Sequence, residues 1–466
     1  MALGGGTFFT QNKILPGTYI QFVSRPRALG TLGDRGVVIA MPPLKWGPEG
    51  SIFTLDGGDF QKNTQRLLGF SYDAPEMRYL RELFKGARTA KLYRPATGTK
   101  ATGSLGVVTA TAKYGGSRGN AIKILIEQEL DDEDFYQVTT MIGETNTVMD
   151  RQFVADAGEL KANDFVTFAG TGEPDETGTL ALAGGTDAAI TGNDHSDFID
   201  KAESEMWTTI CYAGTDLVTK GLYDAYVKRL RDDEGYKVTL VLYNYTRADF
   251  EGTISVKNEA LGLLNADADS QAWDDPGALV YWVAGQTAGA EINQSLTNRI
   301  YDGELLIDTQ FKKTDFELAI SNGELAFYGE VRNPYRTATS QQDANAKGEI
   351  KVLLDINTFT SFTPYKNKDF ANNQIIRILD QIATDTARIF DAYYLGKVQN
   401  EPAGRDLFKG ELIHHRELLQ GKQAITNFNA DDIVVSKGEE KGDVVVTEAV
   451  EPVGAMDKLY MTTTVI

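Results

Sequence analysis

The chain of 466 residues is 42% hydrophobic and 24% charged, which is typical of a globular protein, and at about 150 residues per domain it predicts three domains. Its formal net charge of −20 opposes contact with nucleic acid and anionic membranes, so we expect neither as a partner. The sequence has no long apolar run and no secretion signal, so we expect no membrane insertion by this chain.

Residues 1–22 are predicted to form an extended N-terminal arm. Three glycines precede a β-prone segment, and a Pro-Gly turn then leads into an alternating segment. A strand so close to the end of the chain has few local partners. The apolar side chains that this arm would present are Phe8, Phe9, Tyr19, Ile20 and Phe22.

Residues 23–95 are predicted to form the first part of an α/β core. A short apolar strand at 36–40 is followed by loops, a helix opened by Pro75, and a second strand at 90–94. The next region, 96–185, is rich in Thr, Val and Gly and has short apolar segments separated by turns. This pattern predicts an inserted β-sandwich. Its strand candidates are 106–112, 121–128, 135–141, 165–169 and 179–183.

Residues 186–345 alternate between helical and extended patterns, which predicts a wound, mainly parallel sheet. The predicted helices are 197–207, 217–231 and 278–288, and the predicted strands are 208–213 and 236–243. Two further segments, 314–321 and 325–331, close the unit.

Residues 346–440 are predicted to form a C-terminal α+β domain around one long amphipathic helix at 368–396. Apolar residues recur there at spacings of three and four, so they share one face of a helix roughly 40 Å long. So wide a stripe must be covered by other elements. Its members are Ile375, Leu379, Ile382, Thr386, Ile389 and Tyr393.

Residues 441–466 are predicted to form a C-terminal arm made of strands. Val444 and Val446 lie in a Val-rich segment, and Leu459, Met461 and Val465 alternate with polar residues after a proline. Two interpretations stay open. The terminal strands pair within their own subunit, or they are donated to neighbouring subunits by strand addition, since exposed strand edges are normally covered.

No residue pattern indicates a catalytic or metal site, and we expect no cofactor. The adjacent pair His414 and His415 would point to different faces of a helix, which is poor metal-ligand geometry. We assign His195 a surface or capping role in a loop before a helix. Cys211, the single cysteine, is predicted to lie in a buried strand, where it excludes an intrachain disulfide and fits a chain made in a reducing cytoplasm.

The other polar and glycine-rich segments are predicted to be loops and not ligand-binding sites. The acidic groups at 131–134 and 267–275 lack the ligand spacing of calcium loops. The glycine-rich stretch 115–119 precedes a strand, whereas phosphate-binding loops precede a helix.

Nine segments, spread over nearly the whole chain, resemble segments of one known protein family. They are Gly4–Lys13, Pro16–Ile20, Trp46–Pro48, Leu92–Arg94, Lys113–Asn120, Ala284–Gly285, Asn293–Thr297, Asp355–Phe359 and the helix from Phe370. In these segments the chain resembles contractile tail sheath proteins of myophages, of PBSX-type phage-like elements and of R-type bacteriocins. The resemblance implies a middle domain of subtilisin-like fold without its catalytic residues, and an outward-facing β-sandwich.

The resemblance also implies a structural, non-enzymatic function. Subunits would form hexameric rings that stack helically around a tail tube and contract to drive the tube through a target envelope. The implied partners are further copies of the chain, the tail tube protein, and the baseplate and tail terminator proteins. The implied location is a virion tail or phage-tail-like particle, assembled in the bacterial cytoplasm. The terminal arms would join adjacent subunits, and Arg377, Arg388 and Lys397 are predicted to face the tube.

Two other functions are kept as alternatives. A self-assembling surface-array or adhesive protein would fit the acidity and β content, although the sequence lacks a signal peptide. A hydrolase would require activity that depends on His195.

Overall fold

The structure is a computed structural model that describes residues 35–95, 98–129, 134–143, 145–174, 177–264, 273, 275–329 and 349–465. It divides into two compact units. The main unit contains residues 35–384 and 452–465, and the C-terminal unit contains residues 385–451. The predicted N-terminal arm, with Phe8, Phe9, Tyr19, Ile20 and Phe22, lies outside the described residues.

A seven-stranded sheet forms the centre of the main unit. Neighbouring strands are parallel, except that the last two in the order are antiparallel. The prediction of a wound, mainly parallel sheet is therefore confirmed for this part of the chain. The order across the sheet is Glu324–Leu325, Thr253–Val256, Thr239–Tyr243, Thr209–Tyr212, Val37–Ala40, Thr89–Tyr93 and Ile52–Asp56.

Alternate residues of the central strands lie in two different hydrophobic clusters, because a strand points successive side chains to opposite faces. Val38 and Ala40 belong to one cluster and Ile39 to the other. A sheet buried on both faces needs helices on both. The helices of the main unit that precede residue 330 are Gly57–Leu68, Arg78–Leu83, Gly192–Ala202, Leu217–Asp232, Leu279–Gly289 and Lys313–Ser321.

Helix Leu279–Gly289 is buried almost all round, and glycines let it lie against the end of helix Arg78–Leu83. A Cβ placed on Gly285 would lie 2.1 Å from the carbonyl oxygen of Leu83, and one on Gly289 would lie 2.0 Å from that of Gly86. Only residues without a Cβ allow backbones to approach so closely. This contact gives Gly285, part of the segment Ala284–Gly285 noted in the sequence, a packing role.

Residues 98–187 form two antiparallel sheets. One has the order Gly178–Ala181, Ile122–Gln128, Tyr136–Ile142 and Thr147–Val154, and the other has the order Thr102–Leu105, Val108–Ala112 and Val166–Ala169. Backbone hydrogen bonds between Thr102 and Ala183, 2.8 and 3.0 Å long, connect the two sheets at one edge. Inward residues such as Ile122, Ile124 and Ile126 are fully buried, as alternation predicts.

The remaining elements are shorter or lie towards the C-terminus. Two small two-stranded antiparallel sheets pair Ala260–Leu263 with Leu305–Ile307 and Phe327–Gly329 with Ile350–Val352. Short 3-10 turns occur at Pro75–Met77, Ser117–Ala121, Ala157–Glu159, Lys368–Ala371 and Ala430–Asp432. The last elements are helices Asn373–Ile389 and Pro402–Gly421, the π-helical turn Phe390–Tyr394, and strands Ile425–Thr426, Ile433–Lys437, Val444–Glu448 and Glu451–Pro452.

Several boundaries differ from those predicted. The helix predicted at 197–207 lies at Gly192–Ala202, because Thr191 and Asp194 form a capping box at its start. His195 is therefore inside the helix and 8% exposed, and the predicted surface or capping role was wrong. Helix Gly57–Leu68 and strand Thr147–Val154 were not predicted at all. Of the two acidic groups, only Asp134 and the last aspartate of the second group are described.

Candidate assembly site

The predicted long helix is present, in three pieces. A 3-10 turn at Lys368–Ala371 leads into the α-helix Asn373–Ile389, which we call the connecting helix, and a π-helical turn at Phe390–Tyr394 follows. The connecting helix begins in the main unit and ends in the C-terminal unit. Ile375, Ile382 and Ile389 of the predicted stripe are buried, whereas Tyr393, at the far end of the helix, is 45% exposed.

A buried network of polar side chains holds the start of the connecting helix, and the sequence analysis did not predict this network. The Asp355 carboxylate accepts hydrogen bonds from the Asn373 side chain (2.9 Å) and the Leu296 backbone (3.0 Å). Arg377 donates to the Gln294 carbonyl oxygen at 2.6 Å and lies 3.6 Å from Asp355. Burial lowers the pKa of Arg377, and the Asp355 carboxylate opposes that shift.

Arg377 was predicted to face a tube, and its position corrects that prediction. The residue is 3% exposed and its charge is directed at Asp355, so it offers no cation to a partner surface. One turn further on, Asp380 makes a buried, two-pronged ion pair with Arg231 at 2.7 and 2.8 Å. Such a pair fixes the orientation of the helix, because breaking a buried ion pair leaves an uncompensated charge.

The C-terminal unit has a small core of its own. Ile389 of the connecting helix, Phe408 and Leu412 of helix Pro402–Gly421, and Ile433 form its fully packed cluster. Strands Ile433–Lys437 and Val444–Glu448 pair antiparallel, with Val435 opposite Val446. We call this pair of strands the C-terminal hairpin.

Val444 and Val446 were predicted to belong to a donated arm, and the structure corrects that as well. Both lie in the hairpin and pack against the core of their own unit. One hydrogen-bonding edge of their strand is already used by strand Ile433–Lys437. The part of the chain that could be donated is therefore shorter than predicted.

Four charged or titratable side chains connect the helices of the C-terminal unit to the hairpin. Arg416 donates two hydrogen bonds to Glu448 of the hairpin, at 2.9 and 3.1 Å, and one to His415 Nδ1 at 2.7 Å. A guanidinium can only donate, so Nδ1 accepts and Nε2 carries the proton that it donates to Asp385 at 2.9 Å. His415 is fully buried and has a structural role.

The C-terminal segment is held to the connecting helix at a defined point. The Gln374 amide, 2% exposed, donates to the Val453 carbonyl oxygen at 3.1 Å and accepts from the Ala455 backbone at 3.1 Å. Within the described part of the chain, residues 456–465, which we call the arm segment, form no regular secondary structure. Its large apolar side chains are almost fully exposed: Met456 103%, Leu459 88%, Tyr460 88%, Met461 78% and Val465 90%.

The strand predicted at 458–465 is therefore not formed in the single chain. Five exposed apolar side chains on one segment are unusual for a soluble surface, and exposed apolar patches mark interaction sites.

Two further predicted contact residues are on the surface of the C-terminal unit. Arg388 is half exposed and lies 3.2 Å from Asp385, and the exposed Lys397 donates a hydrogen bond to the Ala392 carbonyl oxygen.

Family models of three consecutive domains match the chain. They are the phage tail sheath protein beta-sandwich domain at residues 96–187, the central domain at 188–336 and the phage tail sheath C-terminal domain at 365–466. The phage-like element PBSX protein XkdK of Bacillus subtilis (strain 168) is 33% identical over 98% of this chain and 99% of its own length. The chain belongs to the phage tail sheath family. The resemblance noted in the sequence is thereby confirmed.

Solved structures agree with this membership. The sheath tail protein from Desulfitobacterium hafniense is 36% identical to this sheath protein, with a TM-score of 0.77 over 94% of this chain and all of that one. The helical sheath of the anti-feeding prophage, solved in its contracted state, has a TM-score of 0.52 at 12% identity, which shows the fold alone. The sheath protein thus has a structural role and is a component of a phage tail or phage-tail-like particle.

The groups that could support chemistry have structural positions in this sheath protein. His195 Nδ1 lies 3.0 Å from the Tyr223 hydroxyl, and burial lowers the pKa of the imidazole. The prediction that Cys211 lies in a buried strand is confirmed, and burial raises the pKa of its thiol to about 12. Among the described residues, no cluster of three His, Cys, Asp or Glu could hold a metal ion. None of the described helices is long and apolar enough to cross a membrane.

Proposed function

We propose that this protein is the subunit of a contractile tail sheath. Its copies form hexameric rings that stack helically around a tail tube, and contraction of the stack drives the tube through a target envelope. Family membership supports the sheath role, and the observation that carries the assembly proposal is the arm segment, whose apolar side chains have no cover in the single chain.

Strand exchange is the proposed link between subunits. The arm segment pairs with the C-terminal unit of a neighbour, and the N-terminal arm at residues 1–22 makes a second link of the same kind. Strand addition gives affinity through main-chain hydrogen bonds, and alternate side chains add specificity. Gln374 fixes where the arm begins, so subunits can rotate about the exposed segment while the link persists.

Contraction by such a mechanism needs no cofactor or nucleotide. The extended sheath is a trapped state, and the contracted sheath buries more surface per subunit. A difference of about 1–2 kcal/mol per subunit is small alone, but it sums over many coupled subunits to a large driving force.

The domains have proposed positions in the sheath. The two antiparallel sheets of residues 98–187 form the β-sandwich and face outward. The seven-stranded sheet and its helices correspond to the subtilisin-like domain, which serves as a scaffold here, since fold alone confers no activity. The C-terminal unit lies closest to the tube, and baseplate and terminator proteins contact the ends of the stack.

Arg388 and Lys397 are the proposed tube-facing cations, with Arg377 now removed from that set. Lys397→Glu should weaken co-sedimentation with purified tail tubes, because it places a like charge against an acidic tube. Lys422→Glu, which makes the same charge change at another exposed site of the C-terminal unit, is the matched control. Equal binding by both variants would refute the tube-facing assignment.

Self-assembly is tested by negative-stain electron microscopy of the full chain at rising concentration, with and without the tail tube protein. We expect striated hollow tubes or ring stacks, formed alone or on the tube as a template. A chain that stays monomeric under both conditions would contradict the sheath proposal.

A further inference from the structure

The C-terminal unit contains an open cavity of about 90 Å³ beside its small core. Three aromatic rings form its apolar wall. The Phe390 and Phe408 ring centroids are 5.5 Å apart, and those of Tyr394 and Phe408 are 4.9 Å apart. Val398 and Val444 also line it.

The π-helical turn explains why this cavity exists. Where the connecting helix ends, the turn Phe390–Tyr394 directs Phe390 and Tyr394 towards Phe408 of the next helix. The chain then reaches Gly404, which is buried and on which a Cβ would lie 2.2 Å from the Gln399 carbonyl oxygen. The cavity wall is therefore held by close backbone packing.

The cavity lies on the side of the hairpin that has an unused edge. Strand Val444–Glu448 pairs with Ile433–Lys437 along one edge, and within the described residues this sheet has only these two strands. The cavity is lined by Gly442 and Val444 and by no residue of Ile433–Lys437. It is therefore on the Val444 side of the hairpin, close to the open edge.

A strand added at that edge would place alternate side chains over the cavity. Val444 and Val446 point towards the core of the unit, and every second residue of an added strand would point the same way. The arm segment has a matching pattern, since Leu459, Met461 and Val465 share one face when extended. These three side chains are 78–90% exposed in the single chain.

We infer that the cavity lined by Phe390, Tyr394, Phe408 and Val444 is the anchoring site for an apolar side chain of the arm segment of a second copy of this chain. The inference rests on the strand exchange of the proposed function and adds its receptor site. The anchor belongs to the alternating set Leu459, Met461 and Val465. Burial of one such side chain contributes affinity that main-chain pairing cannot give, and it fixes the register of the added strand.

Disulfide cross-linking between two differently tagged full-length proteins tests this inference. One carries Val398→Cys at the cavity rim, where the native side chain is 38% exposed, and the other carries a single cysteine in the arm segment. The native Cys211 is 3% exposed and does not interfere. Cysteines replacing Leu459, Met461 or Val465 are compared with controls replacing Tyr460, Thr462 or Thr464, and each mixture is also imaged for tubes.

The predicted result is that at least one cysteine of the first set cross-links to the rim several-fold more than every control, and only in samples that contain assembled sheath. Tubes with equal cross-linking from both sets would overturn the anchoring site while leaving the sheath function intact. Preferential cross-linking of Phe9→Cys to the rim would show that the N-terminal arm occupies the cavity, which also overturns the inference. A mixture without any tubes, even with the tail tube protein added, would instead contradict the proposed function.

Discussion

Glu82 provides a pH-dependent test of the main unit. The side chain is 1% exposed, accepts hydrogen bonds from the Tyr301 hydroxyl (2.9 Å) and the Glu304 backbone (2.6 Å), and has its pKa raised from 4.5 to about 7 by burial. The folded state therefore binds a proton more tightly than the unfolded state. Stability from this group is fully present below about pH 4.5 and is lost as the pH rises through about 7. The shift corresponds to about 3 kcal/mol.

Urea unfolding followed by tryptophan fluorescence measures this effect, because all four tryptophans lie in the main unit. Between about pH 5 and pH 8 the free energy of unfolding should fall about 2.5 kcal/mol more for the native protein than for Glu82→Gln, which carries no titratable group at this position. Glu127→Gln, at an exposed position, should keep the native pH dependence. Parallel pH profiles for the native protein and Glu82→Gln would refute the reasoning.

Three further substitutions probe packing, the buried network and the arm. Gly285→Ala should destabilise the main unit by about 1–3 kcal/mol through overpacking, measured by urea unfolding. Gly221→Ala should be neutral or slightly stabilising, because the nearest atom to its added Cβ, the Tyr245 hydroxyl oxygen, would lie 3.9 Å away. His415→Leu should cost about 2–4 kcal/mol, seen as faster hydrogen exchange in the C-terminal hairpin, and the partly exposed His414→Leu should not. Gln374→Ala should leave the fold intact, but proteolysis should then reach further into the C-terminal segment; unchanged cleavage sites would contradict its role.

The sequence predicted those helices and strands whose apolar residues recur at a regular spacing. The connecting helix and four strands of the seven-stranded sheet, Val37–Ala40, Thr89–Tyr93, Thr209–Tyr212 and Thr239–Tyr243, have strong apolar patterns and were predicted. Strands Ile52–Asp56 and Thr253–Val256 of the same sheet were not predicted. Helix Gly57–Leu68 was missed because two glycines occupy its first turn and Phe60, Thr64 and Leu68 are its few buried residues. Strand Thr147–Val154 was missed because it is an edge strand with many exposed residues, so its alternation is weak.

The polar contacts of the candidate site could not be predicted in the same way. Arg377 and Asp380 carry charge on a strongly apolar helix, and sequence alone favoured a surface position for Arg377. Their partners, Asp355 and Arg231, are distant along the chain or in another element. The same holds for Asp385 and its bond to the second helix of the C-terminal unit. Only the fold reveals such pairs, because no spacing rule connects them.

The arm segment shows a second reason why a sequence pattern can fail to predict the structure of a single chain. Alternation at Leu459, Met461 and Val465 predicted a strand, but a strand forms only where an edge is available to pair with it. In the described single chain the segment has no such pairing, so its pattern is informative about assembly and not about the monomer fold. Pattern and structure disagree at the segment that we propose is shared between subunits.

Deletion of residues 459–466 tests the central claim most directly. Residues 459–465 of the deleted segment are exposed in the described chain, so the truncated protein should keep the native tryptophan-detected unfolding transition. Electron microscopy of the truncated and full-length proteins, at matched concentration and with the tail tube protein added, then reports assembly. We predict folded monomers for the truncated chain and tubes for the full-length chain; long, regular tubes of the truncated protein would contradict assembly by donation of the arm segment.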